Sequence, residues 1–160
     1  MKRKLIIGVM GGGSAEDQDI KNAYKLGALI AKNNWILING GRNAGIMEAS
    51  AKGANENGGL TIGILPGRNS TSVSDHIQIP IYTDMGNARN NINILSSDII
   101  VACPGGAGTL SEIALALKNK KTVIFLDFDI GNSFDRFSSL IHVTKKPEET
   151  ISVIQKLALN

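Results

Sequence analysis

Seven short apolar runs, most of them without polar alternation, constrain this chain more than any other feature. They fall at residues 5–10, 35–39, 60–65, 77–82, 98–103, 122–126 and 140–143. A strand with one wet face alternates apolar and polar residues, whereas a strand of a parallel sheet is covered on both faces and needs no polar side. Helical patterns separate the runs, at 16–33, 44–57, 87–95, 109–119 and 147–159. The first opens with Ser14 and Asp17 at capping-box spacing, and the last carries Pro147 in its first turn. This alternation predicts an α/β fold, a doubly wound and mostly parallel sheet with helices on both faces. A length of 160 residues suits one domain over 1–160.

Three of the strand-to-helix turns are dense in glycine. Gly11-Gly12-Gly13-Ser14 follows the first run and Gly40-Gly41-Arg42-Asn43-Ala44-Gly45 the second. The fifth is followed by Pro104-Gly105-Gly106-Ala107-Gly108-Thr109-Leu110-Ser111-Glu112. Glycine lets a backbone approach a ligand closely, and the first amides of a helix lack internal partners and attract negative charge. In an open parallel sheet all three turns lie along one edge, where ligands bind at the topological switch point. A Rossmann-like, phosphate-binding crevice lined by these turns is the economical reading. The usual dinucleotide fingerprint does not explain it. Gly8-Val9-Met10-Gly11-Gly12-Gly13 does not give G-x-G-x-x-G, and the second run ends in Asn39 rather than a carboxylate. No G-x-x-x-x-G-K-[ST] stretch exists either.

Composition narrows the partners. Net charge is +3, no Lys/Arg run exceeds Lys2-Arg3-Lys4, and aromatics make up 4%, so neither a basic stripe nor a base-stacking set is present. No nucleic-acid partner is expected. The Lys2-Arg3-Lys4 run precedes an apolar stretch too short for a signal peptide, and no segment approaches the roughly 20 apolar residues of a membrane span. Cys103 is the only cysteine, which excludes an internal disulfide and fits a cytoplasmic protein. His76 and His142 lack metal-ligand spacing, and no metal is expected.

Among single residues, Glu112 has two readings. It is either the third residue of a capping box with Thr109 or a carboxylate at the crevice mouth. Arg89, in Met85-Gly86-Asn87-Ala88-Arg89-Asn90, should overhang the same edge, where a guanidinium clamps phosphate bidentately. Arg42 is a second phosphate contact and Arg68 a weaker one. The helix segment Ile113-Ala114-Leu115-Ala116-Leu117 is apolar nearly all round, which suggests burial or a homodimer contact.

Together, Gly40-Gly41…Gly45-Ile46-Met47, Met85…Arg89-Asn90 and the P-G-G-x-G-T-x-x-E element Pro104–Glu112 resemble a known superfamily. It contains the LONELY GUY cytokinin-activating phosphoribohydrolases, the molybdenum cofactor carrier proteins and many proteins mislabelled lysine decarboxylase. The resemblance implies that Gly105, Gly106, Gly108 and Thr109 hold phosphate, with Arg89 and Glu112 as the catalytic or ligand-orienting pair. It implies that Gly12, Gly13, Ser14, Gly40, Gly41, Arg42, Gly45, Met85, Asn90 and Pro104 complete the site. In the hydrolase branch the reaction is cleavage of the N-glycosidic bond of a nucleoside 5′-monophosphate, a carboxylate steadying the oxocarbenium-like sugar. That branch carries Met-x-x-Arg-Lys, whereas here Arg89 stands one place further from Met85 and is followed by Asn90. The wording Gly45-Ile46-Met47-Glu48-Ala49 is nearer the carrier branch. The expected ligand is therefore a phosphorylated small molecule, a nucleoside monophosphate or the molybdenum cofactor, with no cofactor required. No Schiff-base lysine supports a decarboxylase.

Overall fold

The computed structural model describes residues 3–159, so Met1, Lys2 and Asn160, at the ends of the single domain expected over 1–160, lie outside the described residues. The strands are β1 (Ile6–Met10), β2 (Ile36–Asn39), β3 (Thr61–Leu65), β4 (Ile79–Tyr82), β5 (Ile99–Ala102), β6 (Val123–Leu126) and β7 (Ile141–Thr144). The helices are α1 (Asp17–Lys32), α2 (Gly45–Glu56), α3 (Asn90–Ser96), α4 (Ala107–Lys118) and α5 (Pro147–Ala158), with a short 3-10 helix over Gly86–Arg89 running into α3. One seven-stranded sheet results, in the order β4-β3-β2-β1-β5-β6-β7, and every neighbouring pair is parallel. The expected Rossmann-like α/β fold is what forms.

The period of two along each central strand sorts the side chains into two cores. Ile7, Val9, Ile99, Val101, Ile124 and Leu126 pack on one face under α1, α2 and α5, through Leu26, Ile30, Ile46, Ala49, Ile151 and Ile154. Met10, Ile100, Ala102, Val123 and Phe125 pack on the other under α3 and α4, through Ile94, Ile113, Ala116 and Leu117. Unbroken apolar runs are needed because both faces are covered. The edge strand β4 departs from that rule: Ile79, Ile81 and Tyr82 stay exposed.

Helices α1 and α2 lie backbone against backbone. A Cβ added at Gly27 would overlap the Ser50 carbonyl, and one at Gly53 would overlap the Tyr24 carbonyl. Alanine normally gains about 1 kcal/mol over glycine in a helix. Here the overlap falls on main chain that cannot swing aside, and overpacking costs about 1–3 kcal/mol or more. Gly53→Ala should therefore lower stability by about 2 kcal/mol in urea unfolding. Gly67→Ala, where an added Cβ meets nothing within 4 Å, is the matched control. A Gly53→Ala protein as stable as the control would refute the contact.

The helix starts differ from expectation. The capping box of α1 is Glu16 with Asp19, not Ser14 with Asp17: the Glu16 N–H donates to Asp19 Oδ2 at 3.4 Å and the Glu16 side chain accepts from the Asp19 amide. Helix α4 begins at Ala107 behind Gly106, and no side chain caps it. Glu112 thus lies well inside that helix and forms no capping box with Thr109.

Candidate functional site

Strands β2, β1 and β5 are adjacent, so the three glycine turns meet above their carboxyl ends. They interlock through main chain. The Gly12 N–H donates to the Pro104 carbonyl at 2.9 Å, and the Ile46 N–H donates to the Gly12 carbonyl at 2.9 Å. A Cβ at Gly12 would stand 3.2 Å from Gly105 Cα, and one at Gly105 would press on Gly12 N at 2.7 Å and on the Thr109 side chain. Only glycine permits this approach. Gly45, at φ +53, takes the left-handed conformation that starts α2 beneath Gly12 and Gly13.

The three helix starts are not equally open. The Asp19 amide of α1 is held by Glu16, with Asp17 and Asp19 adding negative charge to that first turn. The Ile46 amide of α2 is held by Gly12. In α4 the amides of Ala107, Gly108 and Thr109 have no partner among the described residues. Gly108 and Thr109 line a cleft of about 200 Å³ together with Gly12, Gly13, Gly40, Arg42, Arg89, Asn90, Gly106 and Glu112. Those ten were all singled out from sequence. Gly11, Met10, Val9, Met47 and Asn87 line it as well and were not. Gly11 carried a signal, as the first of three consecutive glycines.

Six further candidates lie outside the lining. Ser14 is exposed, Met85 is about half exposed, and Gly41 backs onto Gly63. Gly45, Pro104 and Gly105 shape the turns from behind. Arg68 is engaged by Asp84 at 2.5 Å. Cys103 is buried, which pushes its thiol up to about 12. Among the described residues, no three His, Cys, Asp or Glu side chains converge as a metal site would require.

At the base of the cleft Arg89 is 8% exposed and donates from Nη1 to the Ile64 carbonyl at 2.8 Å, while its Nε has no partner. Gly40 makes room for it, since a Cβ there would overlap the guanidinium and Met47 Sδ. Burial lowers the Arg89 pKa, Glu112 opposes that fall, and Arg42 adds to it. Glu112 is 7% exposed, and burial pushes its carboxyl up to about 7 against the pull of Arg89. No Arg89–Glu112 ion pair within 4.0 Å occurs among the described residues. The cleft thus combines two guanidiniums, a carboxyl raised to about 7 and the open amides of Gly108 and Thr109. Such a set attracts an anion and offers it directed donors.

Comparison with known proteins is consistent with this architecture. The profile of the SLOG cluster4 family matches residues 4–157. The structure of the molybdenum cofactor binding protein from the phototrophic bacterium Rippkaea orientalis superposes with a TM-score of 0.94 at 50% identity, covering 99% of each chain. The molybdenum cofactor carrier protein of Chlamydomonas reinhardtii superposes at 0.90 with 43% identity, covering 99% of this chain and 100% of that one. A cytokinin riboside 5′-monophosphate phosphoribohydrolase of Mycobacterium tuberculosis is 37% identical over 93 residues, 57% of this chain and 50% of that protein. The chain therefore spans about half the length of that relative.

Proposed function

The chain belongs to the SLOG cluster4 family, and on that premise we propose that it binds a phosphate-bearing small molecule, a pterin or a nucleotide, as a molybdenum cofactor carrier does. The observation that carries the reading is the open start of α4, where Gly108 and Thr109, their amides unpartnered among the described residues, line one cleft with Arg89 and Arg42. The site residues fit an anionic cargo. The amides of Gly108 and Thr109 would hold its phosphate, and the guanidinium of Arg89, which lines the same cleft, would pair with it. Glu112, its carboxyl raised to about 7, would donate a hydrogen bond to it when protonated. The cargo's own redox chemistry belongs to the metal and pterin and needs nothing from this chain but shelter. The same proposal includes a cytoplasmic homodimer and no nucleic-acid partner; of the Ile113–Leu117 segment expected at its contact, Ile113, Ala116 and Leu117 are buried in the chain's own core, so the burial alternative accounts for them.

A phosphoribohydrolase is the second reading, and Glu112 favours it in one respect. A carboxyl near 7 suits a general acid working at neutral pH. To steady a positively charged sugar, however, the group must be ionised, and burial works against that. One assay separates the two. Purified protein is incubated with a panel of purine nucleoside 5′-monophosphates, and free base and ribose 5-phosphate are measured. The carrier reading expects no release, with tight binding of the molybdenum cofactor or a nucleotide. Release that disappears in Glu112→Ala would establish the hydrolase instead.

A further inference from the structure

Asn93 is a polar residue with no exposure, sitting in Ile92-Asn93-Ile94 on the inner side of α3. Its side-chain amide lies among three groups. One is Glu112 Oε1, 3.4 Å away. The others are the Asn39 carbonyl and Arg89 Nη1, each 3.1 Å from the amide atom that faces it. A carbonyl only accepts and a guanidinium only donates. The orientation that satisfies both therefore has the Asn93 nitrogen donating to Asn39 and the Asn93 oxygen accepting from Arg89.

Asn39 is itself immobilised. Its Nδ2 donates to the Met47 carbonyl at 3.0 Å and to Ser50 Oγ at 3.1 Å, while its Oδ1 accepts the Gly41 N–H at 2.7 Å. A chain of buried hydrogen bonds thus runs from the β2–α2 turn through Asn39 and Asn93 to Arg89. Satisfied buried networks of this kind fix side-chain geometry.

We infer that Asn93 is a positioning residue of the cleft, tying the Arg89 guanidinium to the β2–α2 turn and presenting its amide oxygen to Glu112. In giving Asn93 a role toward ligand, the inference rests on the reading that the cleft holds an anion. An amide oxygen 3.4 Å from Glu112 Oε1 is compatible with a protonated carboxyl and opposes an ionised one. The charged group facing Glu112 is Arg89, from the 3-10 helix, and Arg42 acts on Arg89 from the β2–α2 turn. Asn93 therefore holds the cation in place, and with its oxygen toward Glu112 it withdraws the amide donor that would favour the ionised acid.

The test uses the full chain without ligand, labelled for NMR. In wild type, a scalar coupling across the hydrogen bond from Asn93 Nδ2 to the Asn39 carbonyl is expected, and a coupling to Glu112 instead would overturn the assignment. The carboxyl carbon of Glu112 is then titrated with pH. Asn93→Leu should move its midpoint to lower pH, and Asn93→Asp, near-isosteric but negative, should move it to higher pH. An upward shift or none in Asn93→Leu would refute the inference, and if that variant does not fold, the wild-type coupling and Asn93→Asp decide. Inorganic phosphate titration is a separate arm. Absence of phosphate binding in wild type counts against the proposed function, while the ligand-free NMR readouts still judge Asn93.

Discussion

Glu112→Gln is expected to stabilise the ligand-free protein by about 3 kcal/mol near pH 8.5 and to leave it almost unaltered near pH 4. The carboxyl sits at about 7 in the fold against an ordinary 4.5. Between those values the unfolded chain has released a proton that the folded chain keeps. Folding stability therefore falls as pH rises through that window, and the whole penalty is present above 7. Glutamine has nearly the same shape, carries no charge and retains a donor, so it removes the penalty without opening a cavity. Urea unfolding from about pH 4 to 9 should show a declining wild type and a flatter variant. A wild-type profile that is flat across the window, or a variant less stable than wild type near pH 8.5, would show that Glu112 is not held as described.

Such a penalty at one buried carboxyl is the kind of local conflict that functional sites retain. Its existence was readable from sequence only in part. The runs at 98–103 and 122–126 located β5 and β6 to within one residue at each end, because covered strands leave no other arrangement of their apolar side chains. That the three glycine turns share one edge followed from the parallel strands, and ten of the sixteen candidate site residues do line the cleft. Ser14 has the spacing of a capping box with Asp17, and Thr109 with Glu112 leaves that reading open beside a cleft carboxylate; spacing alone does not say at which residue the helix begins. Glu16 and Asp19 cap α1, and α4 stays open. Asn39 and Asn93 were passed over for a different reason. A lone asparagine in an apolar segment looks like noise until register brings two of them together, and their 3.1 Å contact joins residues 54 positions apart. Asn87 and Met47 line the cleft through helix phase alone, which capping and spacing rules do not set.

Arg89→Met should weaken binding of a phosphate-bearing ligand roughly 10- to 150-fold, while stability in the absence of ligand changes by less than about 1 kcal/mol. The two effects separate because of where the cation sits. Burial disfavours the guanidinium, Arg42 adds repulsion, and Nε has no partner, so removing the charge relieves a penalty in the empty cleft. Against that stand the lost bonds from Nη1 to the Ile64 carbonyl and the Asn93 oxygen. Both acceptors are oxygens, which tolerate under-satisfaction better than an orphaned N–H. Methionine fills much of the vacated space and bends around Met47 and Gly40 without strain. A ligand bearing phosphate loses a charge-assisted contact worth about 1.5–3 kcal/mol. Calorimetry with the molybdenum cofactor or a nucleoside monophosphate, paired with urea unfolding, measures both quantities on the same preparation. Loss of several kcal/mol of stability with unaltered affinity would make Arg89 a structural residue and move the anion site elsewhere. Loss of affinity at constant stability would mean that the strain at the base of the cleft exists for the ligand.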